Sequence, residues 1–298
     1  MSIVKNIKKL GIGRVISDAK MKDYTTYKVG GPVKCVVFPN DEASLITLIK
    51  YLDSSNIKYK ILGNGSNVIF NDSGYDGVII KLDNFNSLKI IGTKVIVGAG
   101  YLLNKLALRV SRLGLTGMEF ATGIPGTVGG AVYMNAGAYK SDMGYIVTSV
   151  KVITPDYRIE TLYNKDLDFH YRSSFLQKNK GYICIEASIS LAKGNSLEIM
   201  EIIEERKKRR IETQPLEYPS AGSVFRNPEG NYAGKLIEDI GLKGYSIGGA
   251  KVSDKHANFI INTGEAKGED VKELINKIKN DVKDKYNIEL KVEQEFIE

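Results

Sequence analysis

GLTGMEFATGIPGTVGGAVYMNAGAYKSDMGY, residues 114–145, is the stretch on which the fold turns. It is crowded with glycine and other small residues, yet it carries Phe120, Ile124, Val128, Val132, Tyr133 and Met134. The Ser, Lys and Glu bias of a disordered linker is missing. Glycine permits positive φ and lets one backbone come close to another. The stretch therefore reads as a tightly turned, buried loop whose bare main chain makes a wall for a flat ligand.

On either side, strand-like and helix-like segments alternate. Upstream, VKCVVFP (33–39) reads as a strand, and Asn40 or Asp41 caps a helix through EASLITLIKYLDSS. YKILG (59–63) and VIIKL (78–82) read as strands, and KVIVGAG (94–100) leads into a helix. In that helix Leu102, Leu106, Val110 and Leu113 keep helical spacing. Downstream, SVKVIT (149–154) and YICIEASISLA (182–192) read as strands. A long charged helix opens at Asn195-Ser196, and its Arg206–Arg210 run reads as a solvated face. Pro215 and Pro219 then break the chain. A smaller α+β unit follows: a short helix in GKLIEDIG, a strand in ANFIINTG (257–264), an amphipathic helix in EDVKELINKIKNDVKDKY and a closing strand in IELKVEQEFI (288–297).

With 43% hydrophobic and 26% charged residues among 298, the balance is that of a globular protein large enough to bury its core unaided. The net charge of +7 and pI ≈ 9.0 point to an anionic partner. The basic residues are spread out, which favours a phosphorylated small molecule over nucleic acid. Cys35 and Cys184 lie in apolar runs and read as buried free thiols, too few for a disulfide scaffold. Two histidines, His170 and His256, exclude a three-histidine zinc site, and no metal is expected. His256 reads as a hydrogen-bonded structural residue and His170 as partly exposed. No signal segment or membrane span is apparent, so the expected location is the cytoplasm, without membrane association.

Familiar nucleotide motifs fail. GNYAGKL (230–236) is one residue short of a phosphate loop and ends in Leu236. Gly98-Ala99-Gly100 begins a dinucleotide fingerprint, but Leu103 breaks it. Four other segments stand out. Leu62-Gly63-Asn64-Gly65-Ser66-Asn67 follows a strand and offers the backbone N–H groups of an anion nest. The second is Ala121–Ala131 with Asn135-Ala136-Gly137, the third is Tyr171-Arg172-Ser173-Ser174-Phe175, and the fourth is Ser220-Ala221-Gly222-Ser223-Val224-Phe225-Arg226-Asn227-Pro228.

In this order, together with Thr25–Pro32 (TTYKVGGP), KLIE and HANFIIN, these motifs closely resemble the UDP-N-acetylenolpyruvoylglucosamine reductase family of peptidoglycan precursor synthesis. The resemblance covers nearly the whole chain. It implies an α+β fold with a non-Rossmann, vanillyl-alcohol-oxidase-type (PCMH-like) FAD-binding domain in two subdomains, 1–82 and 83–206. A substrate-binding domain, 207–298, would follow, its last strand returning to the active site. FAD would be bound non-covalently. NADPH would reduce it, and hydride would pass from flavin N5 to the enolpyruvyl group of a UDP-sugar lying in the cleft between these parts. No nucleic acid and no obligatory protein partner is implied. A related FAD-dependent alcohol or lactone oxidase is the alternative; a non-enzymatic nucleic-acid binder is a more distant one.

By the same resemblance, Ser223 is the proton donor and Arg172 steadies the substrate carboxylate as charge grows. Glu293 is the third catalytic residue, useful as a neutral acid if a desolvated site raises its pKa. Glu295 competes with it, because Gln294 and Glu295 replace the family's usual Val and Arg and strand alternation puts both glutamates on one face. FAD contacts fall on Gly63, Asn64, Gly65, Ser66 and Asn67 at the pyrophosphate. Thr122, Gly123, Ile124, Pro125, Gly126, Gly129 and Gly130 would lie along the flavin, and Val29 and Gly30 are further candidate FAD contacts. Asn227 and Tyr171 would contact substrate. The stretch between Phe175 and Gly222 holds one strand and one helix, with no room for the tyrosine-bearing loop of some members, which marks the shorter subclass.

Overall fold

The computed structural model describes residues 3–298. They divide into two compact units, each made of separated pieces of chain. One comprises the residues up to Ser17, Lys34–Asn64 and Gly77–Lys207; the other comprises Asp18–Val33, Gly65–Asp76 and Lys208–Glu298.

The first unit contains two larger sheets, besides the short pairs Gly137–Ala138 with Ser141–Asp142 and Leu115–Thr116 with Ala192–Lys193. One has four strands in the order Gly13–Ser17, Val33–Pro39, Tyr75–Lys81, Tyr59–Leu62. The expected strand Val33–Pro39 has its expected bounds and is almost wholly buried. Helix Glu42–Ser54 connects it to Tyr59–Leu62, started as expected by Asp41, whose carboxylate accepts from the Ser44 N–H at 2.8 Å. Leu45, Leu48, Ile49 and Leu52 form the helix's buried stripe. The strand Tyr59–Leu62 runs parallel to Tyr75–Lys81 with Leu62 opposite Lys81, which brings that lysine beside Gly63.

The second sheet is antiparallel, in the order Ile159–Tyr163, Val147–Ile153, Ile183–Ser190, Lys94–Gly98, Leu88–Ile91. The helix after Lys94–Gly98 spans Leu103–Arg112 and buries Leu103, Leu106, Ala107 and Val110. The stripe thus differs from the expected one: Leu102 precedes the helix, and Leu113 lies past its end, 60% exposed. Both cysteines are buried free thiols, as expected.

The second unit is built on the antiparallel sheet Ser246–Ile247, Ala250–Val252, Ile260–Asn262 with helices Ala233–Asp239 and Gly268–Tyr286. The long helix buries Val271, Leu274, Ile275, Ile278 and Val282. Two segments from early in the chain complete this unit. Tyr27 is fully buried and donates its hydroxyl to the Ile260 carbonyl at 2.9 Å, while Asn262 Nδ2 donates to the Tyr27 carbonyl at 3.0 Å. Val68–Phe70 pairs in parallel with Glu295–Ile297.

The single closing strand expected over 288–297 is in fact divided. Arg226 N–H donates to the Lys291 carbonyl at 2.9 Å and Glu293 N–H to the Val224 carbonyl at 2.8 Å. Glu295 N–H then donates to the Asn67 carbonyl at 2.9 Å. The chain changes partner at Gln294, so continuous ladder pairing is confined to Glu295–Ile297.

Removing the buried Tyr27 hydroxyl leaves the Ile260 carbonyl without that donor, at a cost of about 1–3 kcal/mol. Tyr27→Phe is expected to lower the thermal midpoint by several degrees; an unchanged melt would show that this bond contributes nothing net.

Candidate active site

In the first unit, the glycine-rich stretch is not all loop. Val128–Met134 is a helix, contrary to the reading of 114–145 as a loop throughout. Thr127 starts it by accepting the Gly130 N–H at 3.3 Å, and Asn135 ends it in the left-handed region at φ 44°. Gly129 is required by packing: its N–H donates to the Ala99 carbonyl at 2.8 Å, and a Cβ there would stand 2.9 Å from Ala99 Cβ. Gly63 faces the same wall, since its Cβ would come within 2.6 Å of Thr127 Oγ1. Asn64 Nδ2 donates to the Pro125 carbonyl at 2.6 Å. The structure therefore brings Gly63 and Asn64 against Pro125 and Thr127. Thr122 Oγ1 donates to the Glu119 carbonyl at 3.0 Å, and the Gly126 carbonyl accepts the Leu103 N–H at 2.9 Å. Gly123 and Ile124 are half-buried in this wall, and Pro125 and Gly130 are exposed.

Arg172 sits at the far end of the wall. His170 and Ser173 exchange backbone hydrogen bonds, each 3.0 Å, and the tight turn forces Arg172 to φ 55°. A non-glycine residue held there is strained by about 1 kcal/mol or more and is a marker of functional turns. Its Nη2 donates to the Gly137 carbonyl at 2.9 Å, and the guanidinium stands 5.0 Å from the Tyr171 ring centroid. Tyr171 is itself 53% exposed. Two buried side chains fasten the turn to the wall. Ser174 Oγ donates to the Tyr133 carbonyl at 2.7 Å, and Asn135 Nδ2 to the His170 carbonyl at 2.8 Å. Asn135 Oδ1 also accepts the Gly144 N–H at 2.9 Å. The sequence around Asn135 assigns it no role; the available signal was the residue type, since Asn tolerates the left-handed end of a helix.

In the second unit, Ser223 follows Gly222, which has φ 74°. It is held between two stretches of chain. Ser223 bridges to Phe259, and Asn258 clamps the next residue, with Phe225 N–H donating to Oδ1 at 3.0 Å and Nδ2 donating to the Phe225 carbonyl at 2.8 Å. From the other side the buried Gln294 amide donates to the Ala221 and Gly222 carbonyls at 3.1 and 3.2 Å. Glu293 and Glu295, both half-buried, flank it. Asn67 is fastened to both: its Nδ2 donates to the Glu293 carbonyl at 3.1 Å and its carbonyl accepts the Glu295 N–H.

The remaining expected contacts also have structural settings. Val29 lies in this unit's core, 1% exposed, with its carbonyl bonded to Thr25 Oγ1. Gly30, at φ 117°, would drive a Cβ to 2.6 Å from Phe70 Cβ. Gly65 at φ 66° leaves no space before the Tyr24 carbonyl, and Ser66 is half-buried. Asn227 is exposed, and its Oδ1 accepts the Ala233 N–H at 3.1 Å at the start of helix Ala233–Asp239. Arg172 thus belongs to one unit, and Ser223, Glu293 and Glu295 to the other.

His256 has the structural setting expected of it. Its Nδ1 accepts the Asn258 N–H at 3.2 Å, and burial lowers its pKa. His170 is exposed and bonded to Asp168. Burial raises the Cys35 thiol to about 11 and the Cys184 thiol to about 12, so neither is a reactive thiolate near neutral pH. Among the described residues, no cluster of His, Cys, Asp and Glu could hold a metal ion, and no helix is long and apolar enough to cross a membrane.

The residues present suit a flavin dinucleotide. The backbone N–H groups of Asn64, Gly65 and Ser66 have no acceptor among the described residues, and the Lys81 ammonium lies buried at the Gly63 carbonyl, 2.6 Å away. Both features suit an anion such as a pyrophosphate.

Comparison with known proteins agrees. Residues 33–163 match an FAD-binding domain, and residues 214–297 match the UDP-N-acetylenolpyruvoylglucosamine reductase C-terminal domain. The reductase of Halalkalibacterium halodurans is 45% identical over 99% of this chain and 98% of its own. The chain belongs to the UDP-N-acetylenolpyruvoylglucosamine reductase family. The Bacillus subtilis reductase is 42% identical over 99% of this chain and 98% of its own. The crystal structure of the Thermus caldophilus reductase superposes with a TM-score of 0.82 at 34% identity, covering 96% of this chain and 98% of that one. The fold is accordingly that of the reductase family, with an FAD-binding domain, and this member is an FAD-dependent oxidoreductase.

Asn135→Gly keeps the left-handed helix end but removes the bonds to the His170 carbonyl and the Gly144 N–H. It is expected to cost about 2–4 kcal/mol in urea unfolding. A loss under about 0.5 kcal/mol, the range of neutral surface changes, would mean that Asn135 does not fasten the Arg172 turn.

Proposed function

We propose that this protein reduces UDP-N-acetylglucosamine enolpyruvate to UDP-N-acetylmuramate, using NADPH as co-substrate, in peptidoglycan precursor synthesis. The observation that carries the proposal is identity of 42–48% to reductases of that name over nearly the entire chain. The partners in this reading are small molecules, and the compartment is the cytoplasm. The functional division we propose is 1–82 and 83–206 for FAD and 207–298 for substrate.

FAD, when bound, supplies the hydride through N5, and the chain's residues do the rest. The residues proposed to hold it are Gly63, Asn64, Gly65, Ser66 and Asn67 at the pyrophosphate. Thr122, Gly123, Ile124, Pro125, Gly126, Gly129 and Gly130 serve the isoalloxazine, and Val29 and Gly30 are further proposed FAD contacts. Arg172 is proposed to hold the substrate carboxylate. Its planar fork makes charge-assisted hydrogen bonds that strengthen as negative charge spreads onto that group. The strained turn that fixes Arg172 supports this role, because a guanidinium held in place loses little freedom on binding.

Ser223 is proposed to donate its hydroxyl proton to the carbon next to the carboxylate. A hydroxyl is a weak acid, so the step depends on placement. The double clamp by Asn258 and Gln294 supports such placement. Glu293 is proposed to act as a neutral acid that donates a hydrogen bond to the developing enolate; Glu295 is the competing residue. Tyr171 and Asn227 are proposed to contact the UDP-sugar.

The test is spectroscopic. Under anaerobic conditions NADPH should bleach the flavin and the enolpyruvyl substrate should restore its colour. Ser223→Ala should leave bleaching intact and slow recolouring by about 10²–10⁴, the usual contribution of a general acid. Recolouring at the wild-type rate would remove Ser223 from the mechanism. Bleaching followed by reoxidation with oxygen alone, and none by substrate, would indicate the oxidase alternative. Glu293→Gln is expected to slow recolouring more than Glu295→Gln; the reverse order would transfer the role to Glu295.

A further inference from the structure

Among the described residues Lys81 is the one buried charged side chain, and it lies in an otherwise apolar strand beside the expected pyrophosphate turn. It ends the strand Tyr75–Lys81 and is only 8% exposed. Its Nζ donates to the Gly63 carbonyl at 2.6 Å. The nearest carboxylate, Asp83, is 3.5 Å away and half exposed, so it neutralises the ammonium incompletely. Burial correspondingly lowers the lysine's pKa, with Asp83 acting against the shift.

A buried cation with a weak counter-ion is costly to keep, and a neutral side chain would spare that cost. Its position explains what it does. In a trans peptide the C=O and N–H point in opposite directions. Lys81 takes the carbonyl of the Gly63–Asn64 peptide, so the Asn64 N–H is turned to the other side, where no protein acceptor meets it among the described residues. The ammonium also polarises that peptide and strengthens its N–H as a donor. Gly63 lies close to the wall, where an added Cβ would come within 2.6 Å of Thr127 Oγ1.

We propose that Lys81 is a positioning residue for FAD: it orients and polarises the Gly63–Asn64 peptide so that the Asn64 N–H binds the pyrophosphate. This rests on the FAD reading of the turn. The role is distinct from plain support of the fold, because it requires a charge and acts on one part of the ligand.

The test uses apo-protein titrated with FAD by quenching of flavin fluorescence, together with ³¹P spectra of the bound dinucleotide. Wild-type protein, Lys81→Arg, Lys81→Gln and Lys81→Met are compared. Gln can still bond the Gly63 carbonyl but carries no charge. Lys81→Gln and Lys81→Met are expected to bind FAD about ten- to a hundredfold more weakly, the scale of a charge-assisted hydrogen bond, with displaced phosphorus resonances. Lys81→Arg should stay within about threefold, a difference below one such bond. Wild-type affinity and unmoved resonances in Lys81→Gln would overturn the proposal, leaving only a neutral buttress. If Lys81→Met does not fold, the Gln and Arg pair decides the question. Wild-type protein that fails to take up FAD would refute the FAD reading itself, which is a separate result.

Discussion

A single hydroxyl organises the glycine-rich wall of the first unit. Thr127 Oγ1 receives the Gly130 N–H and so starts the helix Val128–Met134, while the same oxygen fills the space a Gly63 side chain would need. The glycine-rich wall and the turn after Tyr59–Leu62 are thereby locked at main-chain distance. Gly129 against Ala99 repeats the arrangement after the strand Lys94–Gly98 of the other sheet. Interiors are close-packed, so even one added methyl group at such a contact must displace backbone. The glycines are therefore demanded first by protein–protein packing. Any surface they offer to a flavin is a by-product of that tight approach.

The two ends of this wall show two ways of holding polar groups still. At one end, Lys81 and Asn64 take the carbonyls of Gly63 and Pro125. At the other, Asn135 and Ser174 take the carbonyls of His170 and Tyr133. In both, the side chain captures an acceptor and so dictates where the attached N–H or the next side chain points. Arg172 and the Asn64 N–H are positioned by the same device, and in each case the chemistry-bearing group lies one or two residues from the group that is bound.

Much of this was legible in the sequence. Asn40 and Asp41 announced a helix start, because short polar side chains before an apolar repeat suit capping, and the structure gives the role to Asp41. The segments LGNGSN, ATGIPGTVGGA, YRSSF and AGSVFRNP were recognisable because glycine and small polar residues in fixed order are hard to explain by packing alone. The helix Val128–Met134 was hidden by Gly129 and Gly130, poor helix formers that tertiary contacts override. Lys81 was hidden because it sits in a run that is otherwise apolar. The strained φ of Arg172 left no trace, since it follows from a turn closed by distant partners. Nor could local patterns show that Asp18–Val33 and Gly65–Asp76 join the unit of Lys208–Glu298, which depends on bonds such as Tyr27 to Ile260.

The pairing of Val68–Phe70 with Glu295–Ile297 has a consequence for how the molecule is made. During synthesis the early strand leaves the ribosome long before its partner exists, and contacts so distant in sequence are slow to form. Until then an apolar edge containing Ile69 and Phe70 stays available to other chains, a recognised route to aggregation. Residues far apart in the chain therefore close one seam, and the second unit completes itself only once Glu295–Ile297 have been made.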